Sequence, residues 1–245
     1  MATADQDVGA PPDVAALFAD LADVGPFFAV GTGPPPGKGW VPLAALPHGA
    51  LADRIAAVGA ALDAGGRVAA SIAFQGVAAQ VVAPLFAGVA VHGVLPAADA
   101  VGVASALHWR PGGAGPWLWW PAEGQVVACP DPAVLGSLVT TLVAPVVTAV
   151  RAQAAVAERV LWGNMASSVA SARQLVAAAR PDAASRAADV ARHLLTTAPL
   201  AATATLYDPV APDVGWSFHR RSCCLYYRVP GGGTCGDCVL HRPVH

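Results

Sequence analysis

Four of the five cysteines fall within sixteen positions: the vicinal pair Cys223-Cys224, ten intervening residues, then Cys235-Gly-Asp-Cys238. Thiols grouped this closely are metal ligands or redox couples. A disulfide framework belongs to small secreted scaffolds. The opening Met1-Ala-Thr-Ala-Asp-Gln-Asp is acidic, with no positive region of the kind a secretory signal carries, so the expected compartment is the cytoplasm. A thioredoxin-like couple at Cys235 and Cys238 needs a helix opening on the motif within a βαβ surround. Only seven residues follow Cys238, Pro243 among them, which leaves no room for that helix.

Metal binding remains. Structural zinc sites usually pair two Cys-x₂₋₄-Cys knuckles on one ion. Successive side chains of an extended segment point to opposite sides, so Cys223 and Cys224 are awkward chelators of a single small ion. They are easier to place on the two irons of a [2Fe–2S] cluster. The spacing matches neither common ferredoxin pattern; it favours a cluster and leaves zinc as the alternative. Arg220, Arg221, Arg228 and Arg242 bracket the cysteines, and Asp237 is the one acid in that stretch. Their field would favour the reduced form of an anionic cluster and attract an anionic chelate or an acidic redox partner. The sequence therefore predicts that Arg220, Arg221 and Arg228 dock substrate or donor and matter to rate more than to cluster assembly. The competing expectation pairs one of them structurally with Asp208, Asp213 or Asp237. Gly231-Gly-Gly233 and Gly236 would let backbone amides approach the sulfurs.

Other motifs carry less. Gly31-Thr-Gly-Pro-Pro-Pro-Gly-Lys-Gly39 fails as a Walker A loop, because Thr32 stands where the first glycine is needed and Gly39 follows the lysine. Three consecutive prolines also forbid a helix opening on those glycines, so no nucleotide or flavin site is expected. Trp117-Leu-Trp119-Trp120 reads as a strand with alternate aromatics in the core. Cys129 reads as a small buried hydrophobe. His48, His92, His108 and His193 show no ligand spacing.

The elements that must position the cysteines come from a 245-residue chain, 55% hydrophobic and only 12% charged, which excludes intrinsic disorder. Fourteen Lys+Arg against sixteen Asp+Glu give a net charge of −2 and exclude a broad nucleic-acid surface. Mean hydropathy is +0.52. The stretches 68–98 and 132–150 lack Asp, Glu, Lys and Arg. Prolines and polar residues interrupt both, and they are expected as buried helices and not as membrane spans; peripheral membrane contact stays open. Residues 1–11 read as a disordered tail. Val14, Leu17, Phe18, Leu21 and Val24 take helical spacing, as do Leu51, Ile55, Val58 and Leu62 ahead of a Gly65-Gly66 cap. Residues 68–91 suggest one or two buried helices broken near Pro84. Between about 100 and 128, Val101, Val103, a Gly-rich turn at 111–116 and the tryptophans suggest two or three strands. Helix returns over 131–198, with breaks at Pro145, Gly163-Asn164 and Pro181. The expected fold class is α+β, mainly helical, with a small antiparallel sheet and an irregular C-terminal iron–sulfur module. The boundaries are 12–205 for the helical domain and 206–245 for the module packed on it.

The run Phe218-His-Arg-Arg-Ser-Cys223-Cys224 through Thr234-Cys235-Gly-Asp-Cys238 resembles the C-terminal [2Fe–2S] motif of the FhuF-type ferric-siderophore reductases. That pattern is Cys-Cys, ten residues, Cys, two residues, Cys, and all four ligand positions match. Leu161-Trp-Gly-Asn164 and Ser71-Ile-Ala-Phe-Gln-Gly-Val-Ala78 resemble family segments more weakly. The resemblance implies a cytoplasmic enzyme without flavin or nicotinamide, with Cys223, Cys224, Cys235 and Cys238 as cluster ligands. Its implied reaction is one-electron reduction of a ferric siderophore, of hydroxamate type, to release Fe(II). An external ferredoxin, flavodoxin or reductase would supply the electrons. The alternative class is a non-enzymatic iron–sulfur or zinc protein with four cysteine ligands: a redox sensor, an electron carrier or a structural module.

Overall fold

The computed structural model describes residues 13–110, 116–121, 123–213 and 215–240. The expected tail over 1–11, most of the turn at 111–116 and Arg242 lie outside them. Helix α1 (Val14–Leu21) starts where the Asp13 carboxylate accepts the Ala16 N–H at 2.6 Å, and it buries Val14, Leu17, Phe18 and Leu21 as their spacing predicts. Strands β1 (Val30–Thr32) and β2 (Val41–Pro42) follow. Helix α2 (Ala50–Leu62) stops earlier than expected, at Asp63 in the left-handed region. Gly65-Gly66, expected as its cap, instead opens α3 (Gly66–Ala87).

Helix α3 is the centre of the molecule, packed on α2 and on two later helices, α5 (Pro132–Gln153) and α6 (Glu158–Ala179). The expected break at Pro84 does not occur. A proline within a helix removes one N–H and crowds the carbonyl four residues back, but a helix buried along most of its length has no room to bend. The irregularity emerges instead as the π turn Gly88–His92, ahead of β3 (Val94–Pro96). Pro145 and Gly163-Asn164, likewise expected as breaks, lie inside the continuous α5 and α6. Only Pro181 ends a helix, in a 3₁₀ turn ahead of α7 (Ala184–Thr196).

Val101 and Val103, expected in a strand, belong to α4 (Ala100–Ala106), because Asp99 caps it through the Gly102 N–H at 2.7 Å. The remaining strands are β4 (His108–Trp109), β5 (Leu118–Trp120), β6 (Val126–Ala128), β7 (Ala204–Tyr207) and β8 (Ser217–Arg220). One sheet runs β1-β5-β4-β2, with β1 and β5 parallel and the other neighbours antiparallel; β3–β6 and β7–β8 are antiparallel pairs. The class is thus α+β and mainly helical, with one parallel pair that the sequence did not predict. In β5, Leu118 and Trp120 are buried, while Trp119 closes over Gly31, where a Cβ would overlap its ring.

Two helical segments, Gly66–His92 and Pro132–Gln153, are long and apolar enough to cross a membrane by length and composition. In the first, 78% of the apolar stretch is buried inside the protein, the signature of a core helix; in the second, 39% is.

The segment between β7 and β8 is clamped to α6 by a buried ion pair. Arg173 Nη2 meets Asp213 Oδ1 at 2.5 Å, Nη1 donates to the Trp216 carbonyl at 3.0 Å, and the guanidinium lies 4.1 Å from the Trp216 ring centre. Asp213 also accepts from the Ser217 hydroxyl at 2.7 Å, which fixes the entry to β8. Removing one member of a buried pair leaves the other charge uncompensated. Asp213→Ala is expected to lose about 3 kcal/mol of stability, read as a lower urea midpoint; an unchanged midpoint would show that the clamp carries no stability.

Candidate metal centre

Strand β8 ends at Arg220, and from there the chain makes one closed loop that carries four cysteines. Leu225 takes a left-handed conformation at φ 73°, a 3₁₀ turn follows at Tyr226–Arg228, and Gly231 is left-handed at φ 69°. Gly232 must be glycine, since a Cβ there would stand 2.7 Å from the Tyr226 carbonyl oxygen. The Cys238 N–H then donates to the Cys235 carbonyl at 3.1 Å, and the Arg220 N–H donates to the Asp237 carbonyl at 3.1 Å, closing the loop on its own start.

This closure brings two of the thiols together. Cys224 Sγ lies 4.0 Å from Cys235 Sγ, and Cys223 Sγ accepts the Leu225 N–H at 3.3 Å. Two thiolates sharing one tetrahedral metal, each bonded at ~2.3 Å, stand about 3.8 Å apart. The Cys224–Cys235 pair has that separation without a disulfide, as all five cysteines are free. Among the described residues no group of three or more His, Cys, Asp or Glu is drawn in closely enough to hold a metal ion, so of the four thiols it is the Cys224–Cys235 pair that stands at ligand spacing. The hydrogen bond with Cys235 lowers the Cys224 thiol to about 6, against the opposing effect of burial and with help from the Tyr226 backbone and the Arg220 charge. The same contact raises Cys235, together with burial and the nearby Asp237. Burial pushes Cys223 up, partly offset by the Leu225 N–H.

Arg220 is the group the sequence misplaced. Expected on an exposed docking rim, it has 0% exposure. Its Nη2 donates to Asn164 Oδ1, while Nε and Nη1 have no partner among the described residues. Neither Asp213 nor Asp237 takes it: Asp213 holds Arg173, and the Asp237 carboxylate accepts from the Ser167 hydroxyl. A buried guanidinium with unsatisfied N–H groups costs several kcal/mol unless an anion compensates it. Its charge bears on both Cys223 and Cys224. An uncompensated buried cation acting on the Cys223 and Cys224 thiols suits an anionic iron–sulfur cluster held by this loop.

Two helices hold the loop in place. Asn164 Nδ2 donates to the Ser71 carbonyl at 2.9 Å and to Ser71 Oγ at 3.0 Å, and Ser71 Oγ donates to the Cys224 carbonyl at 2.8 Å. Ser222 Oγ donates to the Arg159 carbonyl at 3.1 Å. A Cβ on Gly163 would overlap Ser222 Oγ, so glycine permits this approach. The segments that resembled the family weakly, at Ser71 and at Gly163-Asn164, thus meet at the cysteine loop. Spacing alone assigned roles to neither Ser71 nor Ser167; only their contact with a distant loop reveals them.

The other candidates divide. Arg221 is exposed and bonds Thr205 Oγ1 at 3.1 Å through Nε; Arg228 is exposed and its Nε donates to the Tyr227 hydroxyl at 2.9 Å. Cys129 is buried away from the group and donates to the Asp131 carbonyl at 3.5 Å. His92 pairs with Asp20 at 2.9 Å and His108 contacts the Ala106 carbonyl at 2.9 Å. Beside the loop lies a cavity of about 410 Å³ lined by Gln75, Ser167, Ser171, Tyr207, Cys235 and Asp237 among others.

Residues 220–240 match the family model for the FhuF 2Fe-2S C-terminal domain. The cofactor is a [2Fe–2S] cluster. The matched domain is that of the family the motif resembles, and the matched span contains every cysteine except Cys129. No curated protein and no solved structure matches the chain.

Arg220→Met is expected to keep the far-ultraviolet dichroism of the fold and to lower cluster yield several-fold on anaerobic reconstitution, measured as iron per chain and visible absorption. Arg221→Ala should reconstitute as the wild type does. Full loading of Arg220→Met would show that the buried charge is not matched to the cluster. Gly163→Ala should displace Ser222 and hasten loss of colour in air.

Proposed function

We propose that this protein is a one-electron ferric-siderophore reductase, acting in the cytoplasm on ferric chelates of hydroxamate type. The observation that carries the reading is the FhuF 2Fe-2S match on a loop whose Cys235 also walls a polar cavity of about 410 Å³. Hydroxamate oxygens are hard ligands and hold Fe³⁺ far more tightly than Fe²⁺. One electron therefore makes the iron labile without destroying the chelator, and no acid, base or nucleophile is required.

Cys223, Cys224, Cys235 and Cys238 are the residues that would hold the cluster, which when bound would supply electrons singly. Cys235 and Gly236 form part of the cavity wall, so a chelate seated there comes close to the loop. Ser167, Ser171, Gln75 and Tyr207 give that wall hydroxyl and amide groups suited to the polar shell of a hydroxamate complex. Ser167 holds the Asp237 carboxylate, which keeps the one acid of the loop anchored to α6. The exposed Arg221 and Arg228, with Tyr226 and Tyr227 beside them, make a basic and aromatic face that attracts an incoming anionic chelate or an acidic electron donor such as a ferredoxin or flavodoxin, or a reductase.

Stopped-flow oxidation of the dithionite-reduced protein by ferric hydroxamate, catecholate and carboxylate chelates tests the reading, with ferrozine trapping the Fe²⁺ released. The hydroxamate complexes should oxidise the protein fastest; reduced protein that no ferric chelate oxidises would overturn the proposal. Each of Cys223→Ser, Cys224→Ser, Cys235→Ser and Cys238→Ser should bleach the protein, and Cys129→Ser should not. Arg221→Ala combined with Arg228→Ala should slow oxidation by anionic chelates more than by neutral ones. That difference should vanish near 1 M salt, where the Debye length is ~3 Å.

A further inference from the structure

The cavity beside Cys235 does not end at its polar walls. Gln75 of α3 and Ser171 of α6 also line a second cleft of about 350 Å³, so the two spaces meet across these residues. The second cleft has a different chemistry. Phe27, Phe28, Ile72, Ala79, Ala172 and Leu175 make its walls apolar. Phe27 and Leu175 remain 37% and 45% exposed, which leaves large apolar side chains open to water at this cleft. Its volume falls within the range of small-molecule sites, ~300–1,000 Å³.

One charged group stands in this apolar setting. Arg54, from α2, lines the cleft, and it has no hydrogen bond or ion pair among the described residues. Burial works against its charge, and no neighbouring group offsets that effect. A Cβ on Gly76 would stand 3.6 Å from Arg54 Nη2, an ordinary contact distance, which places the guanidinium directly against this turn of α3. A partly desolvated guanidinium prefers a carboxylate, which it can bind through two parallel hydrogen bonds. A wholly apolar occupant would leave that charge without a partner, and a small hydrophilic anion would leave the aromatic and aliphatic walls wet.

We propose that the cleft is the second half of the substrate site and takes an apolar arm ending in a carboxylate. The substrate is then an amphiphilic ferric chelate, its iron head beside Cys235 and its arm lying between α3 and α6 with the acid on Arg54. This rests on the reductase reading for the head group only. The arm takes no part in the chemistry: one electron leaves the reduced cluster, Fe³⁺ becomes Fe²⁺, and the carboxylate binds without reacting.

The test uses the loaded, full-length protein and three ferric complexes of desferrioxamine B, acylated on its terminal amine with acetic, decanoic or decanedioic acid. Kd for each comes from the concentration dependence of the oxidation rate. The decanedioyl chelate should bind about tenfold more tightly than the decanoyl one, the scale of one charge-assisted pair. That ratio should fall to one in Arg54→Gln and survive in Arg54→Lys. Gly76→Leu should fill the cleft while improving helix propensity, and it should weaken both long-arm chelates relative to the acetyl one. Calorimetry with decanoate alone on the oxidised protein gives a readout independent of electron transfer: binding to the wild type and its loss in Arg54→Gln are expected. Equal affinity for all three chelates, an acid preference that survives Arg54→Gln, or no decanoate binding would each overturn the assignment of the cleft. Failure of every chelate to oxidise the protein, with decanoate still bound through Arg54, would overturn the reductase reading and leave the cleft as an acid-binding site.

Discussion

A guanidinium with no exposed surface stands where β8 gives way to the cysteine loop, and its contact with Asn164 organises the site around it. Because Asn164 Oδ1 accepts from Arg220, its Nδ2 is left to donate, and it does so to both oxygens of Ser71. The Ser71 hydroxyl then passes its own hydrogen to the Cys224 carbonyl. Each donor in this chain is fixed by the one before it, so α3, α6 and the loop are set in register by hydrogen-bond direction and not by packing alone. The chain's charged end has two nitrogens without partners among the described residues. Left so, it would be a liability of several kcal/mol; an anionic group held by the loop, where its charge already acts on Cys223 and Cys224, would compensate it. The cofactor thus completes the electrostatics of a loop whose backbone is already closed by Arg220 and Asp237.

How much of this was legible in the sequence depended on the range of the interaction. The cysteine spacing is local, and it singled out the segment that the FhuF 2Fe-2S domain model matches, with zinc left as the alternative until that match. The helical spacing of Val14, Leu17, Phe18 and Leu21 was equally direct, because a repeated apolar face needs only one neighbour to bury against. Arg220 was read as a rim residue because it precedes the cysteines just as the exposed Arg221 does. Strand alternation turns those two side chains to opposite faces, but one sequence does not say which face meets α6. Ser71 and Ser167 carry no spacing signal at all, since each acts through a loop far along the chain.

The misread prolines and glycines share a cause. Pro84, Pro145 and Gly163 are helix breakers by local propensity, yet each lies within a helix of twenty-two residues. Tertiary packing decides these cases: α3 is held between α2, α5 and α6, and α6 is held by α3 and α7. Gly163 is retained in its helix for a reason that propensity cannot express, because the Ser222 hydroxyl occupies the volume a side chain would need. At that point the helix gives up some intrinsic stability so that the loop can come near enough for Asn164 to reach Arg220.

The arginines near the cysteines therefore divide by burial into two physical roles. Arg220 acts on the thiols from the protein interior, where mobile ions do not reach and the effective dielectric is low. Its effect on an anion bound in the loop would be insensitive to ionic strength. Arg221 and Arg228 act from the surface, where salt screens charges beyond a Debye length. Their effect is confined to the approach of another charged molecule and weakens as ionic strength rises. Arg54 stands between these extremes: it is open to a ligand but partly withdrawn from water, in a wall that is otherwise apolar. A charge in that setting is screened less than one on the surface, and it is accessible in a way that Arg220 is not. That combination is what a site needs to recognise a ligand's charge selectively, since the same desolvation that penalises the unpartnered guanidinium strengthens its bond to a carboxylate of matching position.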